Sequence, residues 1–237
     1  MMDSSGTIAA SPSPWRNTWN KLRLNSSAMI SLFVLTLLVC CAVFAPFIVS
    51  HDPYEQFADR ILVPPAWYAG GDMKFILGTD DLGRDMYSRL VAGARYSLFL
   101  GLVIVFISLL AGVLIGAIAG MQGGMIETAV LRLMDIMLAI PTILLAIVIV
   151  AILGASLANA ALAVSIVLLP HFVRITRAAL INEAGKEYVL AAKLDGSSGW
   201  RVFLGTLFPN MLPPLIVQTT LSFSSAILDI AALGFLG

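Results

Sequence analysis

Charged side chains are scarce. Asp, Glu, Lys and Arg make up 12% of the 237 residues, about half the share in a soluble domain. Bases and acids number 14 each, so the formal net charge is zero. That balance excludes the basic footprint of a nucleic-acid binder. The two histidines, His51 and His171, stand far apart with no ligand cluster around either, so no metal is expected. Cys40 and Cys41 are sequence neighbours, about 100° apart on a helix, which does not suit a bridge. They read as small apolar side chains. The sequence has no Gly-x-x-x-x-Gly-Lys-Ser/Thr phosphate loop, no zinc-protease helix and no supported Ser-His-Asp or Cys-His set. Any work driven by ATP therefore needs another chain to hold the nucleotide, and no cofactor is expected in this one.

Apolar residues are abundant, at 59%. Ala28 to Val49 carries no charge over 22 residues. At about 1.5 Å per residue it reaches roughly 33 Å, enough for a bilayer core. A signal peptide's apolar region is shorter, about 7–15 residues, so a retained membrane helix is expected. Tyr96 to Ile126 is also uncharged, giving a second span near 97–121. Gly112, Gly116 and Gly120 recur every four residues there, on one face where another helix can approach closely. Ile136 to Val173 lacks charge for 38 residues and is interrupted at Gly154–Asn159. Two antiparallel helices, near 129–153 and 160–180, are expected, kinked by Pro141 and Pro170. A last span runs from about Pro213 to Phe235. The fold class is thus all-α, a polytopic transmembrane bundle with five spans.

Loop charges orient the bundle. The N-terminal tail (1–27), the 121–132 connection and the 174–201 island hold nine Lys and Arg; the 50–95 loop holds five, offset by seven acids. The N-terminus and the island are expected in the cytoplasm, the 50–95 loop outside, and the C-terminus outside after five spans. The end of that loop, from Asp85 to Phe99, suits a helix entering the membrane, with Arg89 and Arg95 at the interface.

The charged island is broken by Gly196, Ser197, Ser198 and Gly199. A helix is expected over 183–194, and a second one, capped by Ser198, from near Trp200 toward Pro209. Such a helix–turn–helix would expose Lys193, Asp195 and Arg201 to a docking partner; an ordinary solvated loop is the other reading of the same pattern. In Leu77–Asp85, Gly78 and Gly83 permit tight turns. Asp80, Asp81, Arg84 and Asp85 either form local ion pairs and caps or contact a partner at the outer face. Asp229 in the last span either meets a cationic group in the path or pairs with a neighbour near the headgroups. Arg132 and Asp135 are spaced to pair on one helix face. Arg174 and Arg177 are expected to anchor a helix end at the headgroups, and His171 reads as structural or interfacial.

The island resembles the cytoplasmic loop of ABC-importer permeases, written Glu-Ala-Ala-x3-Gly-x9-Ile-x-Leu-Pro. Ala191, Ala192, Gly196 and Pro209 match it; Leu190, Thr206 and Phe208 replace the Glu, Ile and Leu. More of the chain is similar to the dipeptide/oligopeptide/nickel branch of that family. Leu77–Asp85 with Ser88-Arg89-Leu90, Asp135–Pro141, Val173–Arg177 and Ile227–Gly237 carry the likeness. It covers about 28–237 and is nearest in detail to C-type permease subunits of dipeptide transporters.

The resemblance implies a 28–237 permease domain forming half of a translocation path with a homologous permease subunit in the bacterial inner membrane. It implies that loop 183–209 couples to one of two cytoplasmic ATPases, through Glu187, Ala191, Ala192, Lys193, Asp195, Gly196, Trp200, Arg201 and Pro209. ATP and Mg would bind in those partner subunits, and a periplasmic binding protein would deliver peptide. Within the branch, haem, antimicrobial peptides or nickel are other substrates. Family members usually have a sixth helix, so residues beyond 237 are expected. Outside the family, a solitary channel or proton-coupled carrier is the competing expectation; such a carrier usually holds ionisable residues deep in several spans, where Asp229 alone comes close.

Overall fold

A computed structural model describes residues 14–236, which are helices and loops. The first part of the expected N-terminal tail lies outside the described residues. The helices are α1 (Pro14–Leu24), α2 (Ser26–Val43), α3 (Ala45–Ile48), α4 (Met86–Gln122), α5 (Gly124–Ala139), α6 (Thr142–Leu153), α7 (Leu157–Ala184), α8 (Glu187–Leu194), α9 (Gly199–Val202) and α10 (Phe208–Leu236). A π-helical turn, Phe203–Leu207, joins α9 to α10. Among the described residues four helical segments are long and apolar enough to cross a membrane, and up to five if the bent α5–α6 pair counts as one span. The chain divides into two compact units, Met1–Tyr96 and Ser97–Gly237.

In the first unit, the Asn25 side chain accepts the Ala28 N–H and caps α2. The uncharged run from Ala28 is not one helix. It breaks at Phe44, two residues before Pro46. Proline lacks the N–H and clashes with the carbonyl four residues back, which favours a break at this point. The residues after α3 form a loop of turns up to Asp85, and α4 then starts at Met86, as the sequence suggests.

In the second unit, the glycine repeat does what its spacing predicts. A Cβ built on Gly112 would lie 2.3 Å from the Phe172 Cβ; one on Gly116 would lie 2.7 Å from the Val173 carbonyl oxygen; one on Gly120 would lie 3.2 Å from a Leu180 methyl. These glycines let α4 and α7 touch backbone to side chain. Ser108 adds a polar link, its hydroxyl 2.8 Å from the Ser165 carbonyl of α7. Ile104, Val164, Leu168, Phe172 and Ala226 bring α4, α7 and α10 into one apolar core. Near the other end of α7, Ala117, Leu180, Val189, Val202, Phe203, Leu207, Met211 and Leu215 form a second core.

Three expectations change here. The helix expected over 129–153 begins at Gly124 and is split at Ile140-Pro141, where α5 and α6 meet at 99°. Ile140 is extended, with ψ 133°, the conformation that a following proline imposes. By contrast Pro170 sits inside an unbroken α7. The helix expected over 183–194 is also split: α7 runs on through Glu183 to Ala184, and α8 starts at Glu187. The second helix of the island does not stop at Pro209 but continues through the π turn into α10, with Pro213 and Pro214 inside it.

Candidate functional site

The island forms an elbow built on the second core. Gly185 closes α7, and the Lys186 N–H returns to the Glu183 carbonyl at 3.1 Å. α8 then runs for eight residues with Glu187 in its first turn, where a carboxylate suits the helix dipole. Its end is a glycine cap. Gly196 has φ +78°, and the Ser197 N–H bonds back to the Ala192 carbonyl at 3.4 Å. Open space surrounds Gly196, so its backbone conformation, rather than crowding, asks for glycine. Ser198 stands at the N-cap of α9, but its side chain makes no capping bond.

Pro209 explains the π turn between α9 and α10. With no N–H it cannot bond to Gly205, and the Phe208 N–H reaches back five residues, to the Phe203 carbonyl. Trp200 packs edge-on to Phe203, ring centroids 5.6 Å apart.

The elbow has an inner and an outer side. Val189, Val202, Phe203 and Leu207 are buried in the core, and Ala192 packs against it. Leu190, Trp200 and Leu204 are exposed, and Leu194 is 88% exposed. Glu187, Ala191, Asp195, Gly196, Arg201 and Pro209 are exposed too. The elbow thus gathers the expected coupling residues on one element, most of them on its exposed side; the side chain of Lys193 lies outside the described residues. Glu183 and Tyr188 were missed by sequence reasoning. The Glu183 carboxylate, 8% exposed, accepts from Lys186 Nζ at 2.7 Å and from the Tyr188 hydroxyl. That bond pushes the Tyr188 phenol above its ordinary range, and burial adds to the shift. An acid at the start of a charged stretch gives no sign of burial in sequence.

The Leu77–Asp85 motif is an internal scaffold. Asp80 accepts the Leu82 and Arg84 N–H groups, each at 2.9 Å, and Arg84 Nε at 2.8 Å, and also pairs with Arg89. Burial pushes its carboxyl up, but the two N–H bonds and the Arg84 guanidinium outweigh it and hold the pKa down to about 2. Asp85, 1% exposed, meets His51 Nδ1 at 3.2 Å, the Ser88 hydroxyl at 2.5 Å and the Tyr87 N–H at 3.1 Å. His51 in turn packs against Phe57 and Phe75. Gly78 and Gly83, with φ +79° and +72°, face the carbonyls of Val63 and Phe57. So Asp80, Arg84 and Asp85 make local ion pairs and caps, and Asp81 is the exposed one of the three acids.

Elsewhere the expected pairing is rearranged. Asp135 pairs with Arg174 of α7 rather than with Arg132, and Glu127 pairs with Arg177 at 2.5 Å. The two arginines tie α5 to α7 where headgroup anchors were expected. His171 lies exposed on α7, and Asp229 is half-buried in α10 with no ion pair among the described residues.

Long apolar helices joined by a polar elbow define a multi-pass membrane protein. The profile of the family described as binding-protein-dependent transport system inner membrane component matches residues 112–237. A second, the N-terminal TM domain of oligopeptide transport permease C, matches 13–65. The chain belongs to this family of ABC-importer permeases. It is 51% identical over 226 residues to the Di/tripeptide transport system permease protein DppC of Pseudomonas aeruginosa, covering 95% of this chain and 75% of that protein. It is 45% identical over 237 residues to Dipeptide transport system permease protein DppC of Haemophilus influenzae, covering 100% and 80%. It is 39% identical over 225 residues to Peptide transport system permease protein SapC of Shigella flexneri, covering 95% and 76%.

Proposed function

We propose that the chain forms half of the path by which dipeptides or short peptides are imported, and that the α8–α9 elbow carries the work of separate ATPases into the membrane helices. One observation supports this most: the elbow exposes Leu190, Leu194 and Trp200 on one side while Val189, Val202 and Phe203 lock its other side into the core. A push on the exposed side would move α7 and α10 together, because α9 runs through the π turn into α10. The relatives' names, which are those of dipeptide and peptide transport permeases, support peptides as cargo.

In this reading a homologous permease completes the path, two cytoplasmic ATPases bind ATP and Mg, and a periplasmic peptide-binding protein docks on the outer face. The Lys and Arg distribution supports a cytoplasmic N-terminus and elbow. Asp81 is the exposed acid offered to the binding protein, and Asp229 the acid offered to the path. ATP shifts the inward–outward equilibrium only by its different affinity for the two states of the ATPase pair.

The test uses the full complex carrying Leu194→Cys in a background with Cys40 and Cys41 replaced by Ser. Thiol cross-linking to an ATPase subunit from the cytoplasmic side, together with ATP-dependent uptake of labelled dipeptide, is expected. Labelling of Leu194→Cys only from the periplasmic side, or the absence of an ATPase adduct, would overturn the proposal.

A further inference from the structure

At the joint between α7 and α8 a nearly buried carboxylate belongs to neither core cluster. Glu183 is the penultimate residue of α7 and, at 8% exposure, is among the buried charged groups of the chain. A carboxylate taken out of water stays ionised only when its oxygens are bonded. Both are. One oxygen takes Lys186 Nζ at 2.7 Å, and the other takes the Tyr188 hydroxyl. Lys186 lies in the link between the helices and Tyr188 in the first turn of α8. The same residue also uses its main-chain carbonyl, which accepts the Lys186 N–H at 3.1 Å. One side chain at the end of α7 therefore holds both the link and the start of α8.

The joint needs such a hold. Gly185 has no side chain to stiffen it and nothing within 4 Å of where a Cβ would stand. The apolar anchor of α8 near this end is a single residue, Val189, with 0% exposure. With Ala192 packed on the same core three residues on, α8 is gripped along one face only, about which a short helix can still roll; a second, off-axis contact restrains that roll. Tyr188, next to Val189, supplies the second contact.

We propose that Glu183 is a positioning residue for energy coupling: held between Lys186 and Tyr188, its carboxylate fixes the angle at which α8 leaves α7, so that force on the elbow becomes movement of α7. This rests on the coupling role proposed above. Loosening the joint leaves ATP hydrolysis running in the partner subunits but lets α8 turn without carrying α7.

The experiment measures peptide transported per ATP hydrolysed in proteoliposomes holding the complete complex and binding protein. Glu183→Ala is expected to leave hydrolysis within about twofold of the parent and to lower the transport-to-hydrolysis ratio by about tenfold. Tyr188→Phe removes one arm and is expected to act in the same direction by about threefold. The double variant is expected to be no worse than Glu183→Ala, because the contact that Tyr188→Phe removes is already lost in Glu183→Ala. Glu183→Gln keeps the shape and one acceptor for Tyr188, and is expected to recover part of the ratio. Should Glu183→Ala fail to assemble, Tyr188→Phe and Glu183→Gln carry the test. An unchanged ratio in every variant that assembles overturns the proposal, as does a double variant whose effect is the product of the singles. Leu194→Cys cross-linking separates the two ideas. An ATPase adduct with an unchanged ratio sinks the Glu183 role alone, whereas no adduct sinks the coupling reading beneath it.

Discussion

Gly116 of α4 meets Thr176 of α7 so closely that a Cβ on the glycine would lie 2.8 Å from the threonine Cβ. With Gly112 against Phe172 and Gly120 against Leu180, it forms a seam along which the two helices touch. Between helices in lipid there is little hydrophobic drive, because lipid tails are as apolar as leucine; close packing must hold them instead. Gly116→Val is expected to lower the stability of the detergent-solubilised chain by roughly 2–3 kcal/mol, read as a fall in Tm. Gly93→Ala, with open space around it, is the control and is expected to be neutral or to stabilise by up to about 1 kcal/mol. Equal Tm values for the two variants would refute the seam.

Thr176 sits in that seam with its hydroxyl buried and without a hydrogen-bond partner among the described residues. Replacing an unpaired buried hydroxyl by a methyl group of the same shape removes a desolvation cost. Thr176→Val is therefore expected to leave Tm unchanged or to raise stability by about 1 kcal/mol. A clear loss would show that the hydroxyl bonds to something in the working protein.

The Asp80 carboxyl is held at about 2, below its ordinary 3.8, so its bonds favour the ionised form. A lowered folded-state pKa contributes stability above the unfolded value and loses it as pH falls through the folded one. Hydrogen-exchange protection of the Leu82 and Arg84 amides, corrected for intrinsic rate, is expected to be flat from pH 8 to about 5 and to fall between about 4 and 2. Asp80→Asn is expected to show no such step; a step persisting in that variant would assign it to another group.

The sequence made some of this structure legible and hid the rest for physical reasons. The glycine repeat, the uncharged runs and the break at Gly196 are local patterns, and each fixes local structure. Asp85 and His51 are 34 residues apart, and no periodicity links them. Arg174 and Arg177 looked like headgroup anchors because the acids that claim them, Asp135 and Glu127, sit on a different helix. In the elbow, the match of Ala191, Ala192, Gly196 and Pro209 was visible, but Glu183 was not, because its burial depends on how α8 folds back on α7. Prolines were the least readable. Pro170 is absorbed within α7, Pro213 and Pro214 within α10, and Pro141 turns the chain sharply.

The two ties between α5 and α7 differ in exposure, and that sets their worth. The Asp135–Arg174 pair is 56% and 51% exposed, whereas Glu127–Arg177 is 20% and 33% exposed. Exposed pairs contribute about 0–1 kcal/mol after screening. Asp135→Asn is expected to change stability by less than about 0.5 kcal/mol. Glu127→Gln leaves Arg177 half-covered without its partner and is expected to cost about 1–2 kcal/mol. Chemical denaturation in detergent measures both, and the reverse ranking would mean that the pairs are not the ties they form here.

The 99° turn between α5 and α6 gives the most direct distance to measure. Met125 and Ile152 are both highly exposed, so each accepts a spin label after replacement by Cys. A straight helix would hold them roughly 40 Å apart at 1.5 Å per residue. Two legs of about 22 and 16 Å meeting at this bend bring them to roughly 26 Å. Pro141 imposes the turn by forcing Ile140 out of the helical region. Pro141→Ala lifts that constraint, and a population near the longer distance is expected to appear. A wild-type distance near 40 Å would mean that α5 and α6 form one rod. A short distance unchanged in Pro141→Ala would mean that the surrounding helices, rather than the proline, set the bend.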